Sequence, residues 1–161
     1  MNEQFIIEFR ETLRRAEEKL LLLSEVESET PRAPGKWSPK EIIGHLIDSA
    51  SNNHQRFVRA QFKDDLIFDG YEQDDWVKVQ NYQHEEWKQL VILWKSFNVH
   101  MLHVVTQIPH DVVIKKHTHH NLDQLAFKPI PKNEPATLEY FIIDYVEHLK
   151  HHLRQIFPDF L

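Results

Sequence analysis

Apolar residues recur at three- and four-residue steps along four separate stretches of about twenty residues each, and this periodicity confines the chain to a fold built of helices. The first stretch covers roughly residues 3–24, with Phe5, Phe9, Leu13, Ala16, Leu20 and Leu23 on its repeat. The second has the clearest start. Ser38-Pro39-Lys40-Glu41 is a capping box with proline at the first helical position, and Trp37 and Ile42 stand where a hydrophobic staple belongs. This helix runs to about Phe62 with Ile42, Leu46, Ser49, Asn53 and Phe57 along one side, while Asn52, Arg56 and Arg59 fall on other sides. The third spans about 84–107, with Trp87, Leu90, Val91, Trp94, Phe97, Met101, Leu102 and Val105 in phase. Thr137 can cap the fourth, about 138–157, which Pro158 ends. Its inward stripe is Phe141, Tyr145, His148, His152 and Ile156. Nothing reads as a strand. Four such helices predict an all-α fold, a four-helix bundle with long connecting loops, as one domain over residues 1–161.

The connections differ in character. Pro31, Pro34 and Gly35 punctuate the first, and residues 63–83 read as acidic, aromatic and irregular. Residues 108–136 hold four prolines, and a connection of that length in a compact domain is functional or contains short elements of its own. Composition then removes whole classes of function. The net charge is −6 with no basic block, so nucleic acid is not an expected partner. No apolar run approaches the ~20 residues of a membrane span, and no signal-peptide pattern is present, which makes a membrane an unexpected partner too. There are no cysteines, which excludes disulfides, Cys-type zinc sites and a cysteine nucleophile and fits a cytoplasmic protein. Three scattered glycines form neither a Rossmann fingerprint nor a P-loop.

Chemistry concentrates in histidine. His148 and His152 are four apart, which puts two imidazoles one turn apart on one helix face within reach of a single ion. His45, about a hundred residues upstream, falls beside Ile42, Leu46 and Ser49, pointing inward or at the margin of the core. Three neutral nitrogens on one metal leave a coordination position open, the arrangement of a catalytic site and not a structural one. The bland alternative is a pair of partly buried histidines satisfied by backbone or by Glu147, but unpaired imidazoles on a core stripe are costly to desolvate and a metal offsets that cost. Asp48, one turn after His45, and Asp144, one turn before His148, stand where a carboxylate would orient an imidazole, or where it would be a surface charge.

Other clusters carry weaker readings. His151 reads as a solvated neighbour of His152, His100 and His103 lack a third partner, and the run His117, His119, His120 resembles a metal tract but sits in a loop. Trp87, Trp94 and Phe97 read as core, whereas Tyr71 and Trp76 have no periodic reason for their place and could line a cleft mouth. The acidic residues 64–75 read as solvated surface, without the spacing of a calcium-binding EF-hand. No serine is placed as a nucleophile, so an enzyme of this composition would need a metal to activate water or a thiol.

The segment Trp37-Ser38-Pro39-Lys40-Glu41-Ile42-Ile43-Gly44-His45-Leu46-Ile47-Asp48-Ser49 resembles the second-helix signature of the DinB/YfiT superfamily. The segment from Asp144 to Ile156 resembles its fourth-helix signature, H-x-x-H-H-x-x-Q, here ending at Gln155. Asn52-Asn53-His54-Gln55-Arg56-Phe57 and the acidic aromatic loop after it are most similar to the YfiT-like branch. The resemblance implies a four-helix bundle holding one divalent metal, zinc or nickel, on His45, His148 and His152, with no inherited role for His117, His119 or His120. It implies a metal-dependent transferase that conjugates a low-molecular-weight thiol to an electrophilic small molecule. Its alternatives are a metal-dependent hydrolase and a non-catalytic binding bundle stabilised by metal. The expected partners are a small-molecule thiol and an electrophile, and a homodimer is compatible with the pattern. The loop 64–76 is the expected wall of the site.

Overall fold

Each expected long helix is present in the computed structural model, which describes residues 1–160. Helix α1 (Glu3–Leu20) is capped by Asn2, whose side-chain oxygen accepts from the Phe5 N–H at 2.7 Å. It stops short of residue 24, because Ser24 and Glu27 form a capping box of their own and open a separate helix, α2 (Glu25–Glu29). Helix α3 (Pro39–Ala60) begins at the Ser38 box as expected. The stretch expected to be irregular contains α4 (Gln73–Gln80), ended by Asn81 in the left-handed conformation at φ 54°, and a 3-10 turn at Tyr82–His84. Helix α5 (Trp87–Gln107) follows. The long connection after it folds into α6 (His110–Ile114), β1 (Lys116–His117), α7 (Leu122–Leu125) and β2 (Ala136–Thr137). The two short strands pair antiparallel, Lys116 with Thr137 and His117 with Ala136. Two residues have no measurable period, which is why neither strand was legible in the sequence. Helix α8 (Leu138–Ile156) closes the bundle, capped by Thr137, whose hydroxyl accepts from the Tyr140 N–H at 3.1 Å.

Neighbour relations among the long helices position the site. Helix α3 packs beside α5 and α8, and α1 packs beside the same two. Consecutive helices α1 and α3 therefore face each other across the bundle. Had every helix packed beside its successor, α3 and α8 would stand on opposite corners. Between the helices lies a core that includes Phe9, Leu46, Phe57, Trp87, Trp94, Phe141 and Tyr145, with Phe57 edge-on to Phe141 at 5.5 Å. The Trp87 indole N–H donates to the Leu20 carbonyl at 2.9 Å and so satisfies the end of α1.

Helix α3 is buried on nearly every side along its first half. Lys40 is almost inaccessible, and its ammonium pairs with Glu25 and with Glu29 at 3.0 Å and donates to the Gln83 carbonyl at 3.3 Å. That ties α2 and the 3-10 turn to the start of α3. Four residues on, Gly44 lets the Tyr82 ring lie directly on the helix backbone. A Cβ there would come within 2.0 Å of the ring, so no larger residue fits without displacing Tyr82. Among the described residues no helix is long and apolar enough to cross a membrane.

Candidate metal centre

Because α3 and α8 are neighbours, His45 meets His148 and His152. The Nε2 atoms of His45 and His148 are 3.3 Å apart, and those of His148 and His152 3.0 Å apart. One nitrogen from each ring lies within 4.8 Å of the other two. Ligands about 2.05 Å from a tetrahedral ion stand about 3.3 Å from one another, so the spacing is that of donors around one centre. Trp37, expected only as a staple, covers the cluster, its ring 5.1 Å from His45 and 6.3 Å from His152.

Burial away from water, reinforced by the neighbouring imidazoles, pushes His45 down to about 3 and His148 down to about 2. Burial also takes His152 down to about 4 against the opposing effect of Gln155. All three rings are neutral at pH 7. Gln155 Oε1 lies 3.0 Å from His152 Nδ1, and since that oxygen only accepts, Nδ1 carries the proton and Nε2 keeps its lone pair. One proton on His148 Nε2 cannot serve both of its imidazole neighbours well, and His45 Nδ1 is buried without a partner. Three lone pairs directed at one point fit a divalent cation better than any distribution of protons.

Two expected outcomes follow from these details. Gln155→Leu frees the His152 ring and should weaken divalent-metal affinity about 10- to 100-fold, read by competition with a chelator. Unchanged affinity would show that Gln155 does not hold the ring. For metal-free protein the unfolded chain, whose histidines titrate near 6.5, binds more protons than the folded one below that pH. The contribution is complete above pH 6.5 and is lost progressively as pH falls from there through the folded values of about 4, 3 and 2, by up to about 1.4 kcal/mol per pH unit for each histidine. Denaturant midpoints measured between pH 7.5 and 4.5 should fall accordingly, and His45→Ala, with one such group fewer, should flatten the slope.

His45 and His148 also line a cavity of about 690 Å³. Its walls include Ser49, Asn53 and Arg56 of α3, residues 70–73, and residues 124–127. The segment at Tyr71 belongs to the loop expected to form a wall, with Trp76 packed behind Tyr71 at 4.8 Å between ring centroids. The facing wall, with Phe127 5.5 Å from the His148 ring, had no signal in the sequence.

A family model described as the DinB superfamily matches residues 8–156. The chain belongs to the DinB superfamily. A solved structure with the same fold is YfiT from Bacillus subtilis, described as a probable metal-dependent hydrolase with an unusual four-helix bundle topology. It is 17% identical, with a TM-score of 0.74 over 98% of this chain and 87% of that one. No curated protein matches the sequence.

Within this DinB bundle two sequence readings need correction. Neither Asp48 nor Asp144 orients an imidazole. Asp48 Oδ1 accepts from the Tyr82 hydroxyl and from Gln80 Nε2, both at 2.7 Å, while its Oδ2 has no partner. Asp144 accepts the backbone N–H groups of Phe127 and Lys128, each at 2.8 Å. Each carboxylate is turned toward a connecting segment whose course a helical wheel does not contain. Gln155 does hold a ring, and its i,i+3 spacing from His152 was the available signal.

The remaining histidines do not join the cluster. Two of the loop run are tied to backbone: His117 Nδ1 lies 3.0 Å from the Asp64 carbonyl, and His120 Nε2 lies 2.7 Å from that of Glu134, while His119 is exposed. His100 has His54 of α3 beside it at 5.1 Å between rings, a neighbour the sequence did not suggest. His151 is exposed as expected, although its Nε2 is 3.2 Å from Gln155 Nε2.

Proposed function

We propose that His45, His148 and His152 hold one divalent ion, zinc or nickel, and that the protein transfers a low-molecular-weight thiol onto an electrophilic small molecule. One observation carries the reading. Three neutral imidazole nitrogens converge at the wall of a polar cavity, and among the described residues no carboxylate joins them as a fourth ligand. When bound, such an ion supplies positive charge that lowers the pKa of a thiol at its open position, so that thiolate is present at neutral pH. The protein supplies the rest. Neutral histidines leave that positive charge uncompensated, Trp37 shields the His45 and His152 rings from water, and the Tyr71 and Phe127 walls hold the electrophile close.

Hydrolysis is the second reading, favoured by the description of YfiT. Against it stand the hydrogen bonds of two carboxylates: Asp48 Oδ1 is taken by Tyr82 and Gln80, and Asp144, although it lines the cavity, has both oxygens engaged by backbone amides and is less available as a base for water. Zinc- or nickel-loaded protein, prepared without nickel resin, should conjugate bacillithiol, glutathione or cysteine to a model electrophile in a reaction lost with His45→Ala. Cleavage of an ester or amide panel, with no conjugation above the metal-free control, would replace the transferase reading with hydrolysis.

A further inference from the structure

Arg56 falls outside the apolar stripe of α3, yet it is 7% exposed. Its guanidinium donates to the Asp69 carbonyl oxygen at 2.6 Å and to Asn53 Oδ1 at 3.4 Å, and neither acceptor is charged. It forms no ion pair with a carboxylate among the described residues, and the Asp69 carboxylate acts on it only at longer range. A guanidinium offers roughly five N–H donors, so these two bonds use fewer than half. Buried charges in proteins are normally paired, and an arginine left without a counter-ion inside a cavity is a vacant fork for a planar oxyanion.

Its position says what could fill that place. His45, Ser49, Asn53 and Arg56 succeed one another along α3, and all four line the same cavity. Eleven residues of helix put about 16 Å of rise between the first and the last, shortened by the lean of the arginine side chain toward the helix N-terminus. The groups between are neutral and polar. On its other side Arg56 opens to a second cavity of about 520 Å³, shared with Arg59, which adds positive charge there and is hydrogen-bonded to the neutral Gln55. Two acids also face the first cavity. Both oxygens of Asp144 are taken by backbone amides, and Glu72 is exposed at the start of α4.

We propose that Arg56 is the anion-binding group of this cavity, and that the molecule taken up there carries a carboxylate at the end remote from the atom that meets the three histidines. The inference rests on the cavity being the substrate site of the proposed function, and it names the substrate class: an elongated thiol with an acidic end, in place of a small neutral one.

The test separates the two claims by using a ligand that cannot offer a thiolate. S-methylglutathione and the same tripeptide with both carboxylates converted to amides are titrated calorimetrically into wild-type protein, zinc-loaded and metal-free. The acid should bind about tenfold or more tightly than the amide in both forms, the preference expected of a charge-assisted bidentate contact. The preference should survive in part in Arg56→Lys and shrink below about twofold in Arg56→Gln. Equal binding of acid and amide to wild type overturns the proposal, even if Arg56→Gln fails to fold. An Arg56-dependent preference in a protein that conjugates no thiol leaves the anion site standing and removes the transferase reading. Conjugation of cysteamine as fast as of glutathione, unchanged in Arg56→Lys and Arg56→Gln, does the reverse.

Discussion

Alanine at His45, His148 or His152 should each remove tight binding of one divalent ion per chain, whereas His151→Ala should keep affinity within about tenfold of wild type. Three-histidine coordination distributes the binding free energy over few ligands. With about 10–16 kcal/mol typical of a tight zinc site, the loss of one ligand of three costs roughly 3–5 kcal/mol, or about 10²- to 10⁴-fold in affinity. His151 lies about 100° around the helix from His152 and is exposed, and it meets the cluster only from outside, with its ring 5.2 Å from that of His152 and its Nε2 3.2 Å from Gln155 Nε2. Its removal should therefore resemble a mild loosening of the His152 ring. Metal content after dialysis and chelator competition read both effects. Equal losses from all four substitutions would mean that binding is not centred where the three Nε2 atoms converge.

Asp144→Ala should destabilise the fold by about 2–3 kcal/mol and loosen the wall formed by residues 124–127. The carboxylate is buried and accepts two backbone N–H groups, from Phe127 and Lys128. A hydrogen bond to a charged group contributes about 1.5–3 kcal/mol, and part of that is recovered here because both residues are exposed enough for water to replace the lost acceptor. Phe127 stands beside His148 and His151, so the same substitution should open the cavity next to the metal ligands. Asp144→Asn, which keeps one acceptor oxygen, should lose about half as much. Denaturant unfolding measures the first effect, and hydrogen exchange of the Phe127 and Lys128 amides measures the second. Unchanged midpoints together with unchanged exchange would show that the segment is held by something else.

The site was legible where it depends on local geometry. His148 and His152 share a face because any two residues four apart on a helix do, and Gln155 reaches His152 by the same rule. Trp37 was visible as part of a helix start, but its packing against His45 and His152 was not, because that contact spans two helices. Asp48 illustrates the limit. Its helical phase allowed it to serve His45, but Tyr82 and Gln80 arrive from a segment that read as irregular, and they take its Oδ1. Arg56 was read away from the core because its phase is off the apolar stripe, and the chain at residues 69–71 then folded over it.

By itself the sequence determined that there would be four long helices, where they would begin, which faces would be apolar, and that two histidines would stand together on the last. Each of these follows from periodicity or capping, which act over a few residues of a single helix. Only the tertiary structure decided that α3 would lie beside α8 and not diagonally across from it, and with that whether His45 would complete the cluster. Four amphipathic helices offer similar apolar stripes to one another. Their arrangement is chosen by how side chains interlock and where the connections run, which are relations between distant segments that no local pattern records.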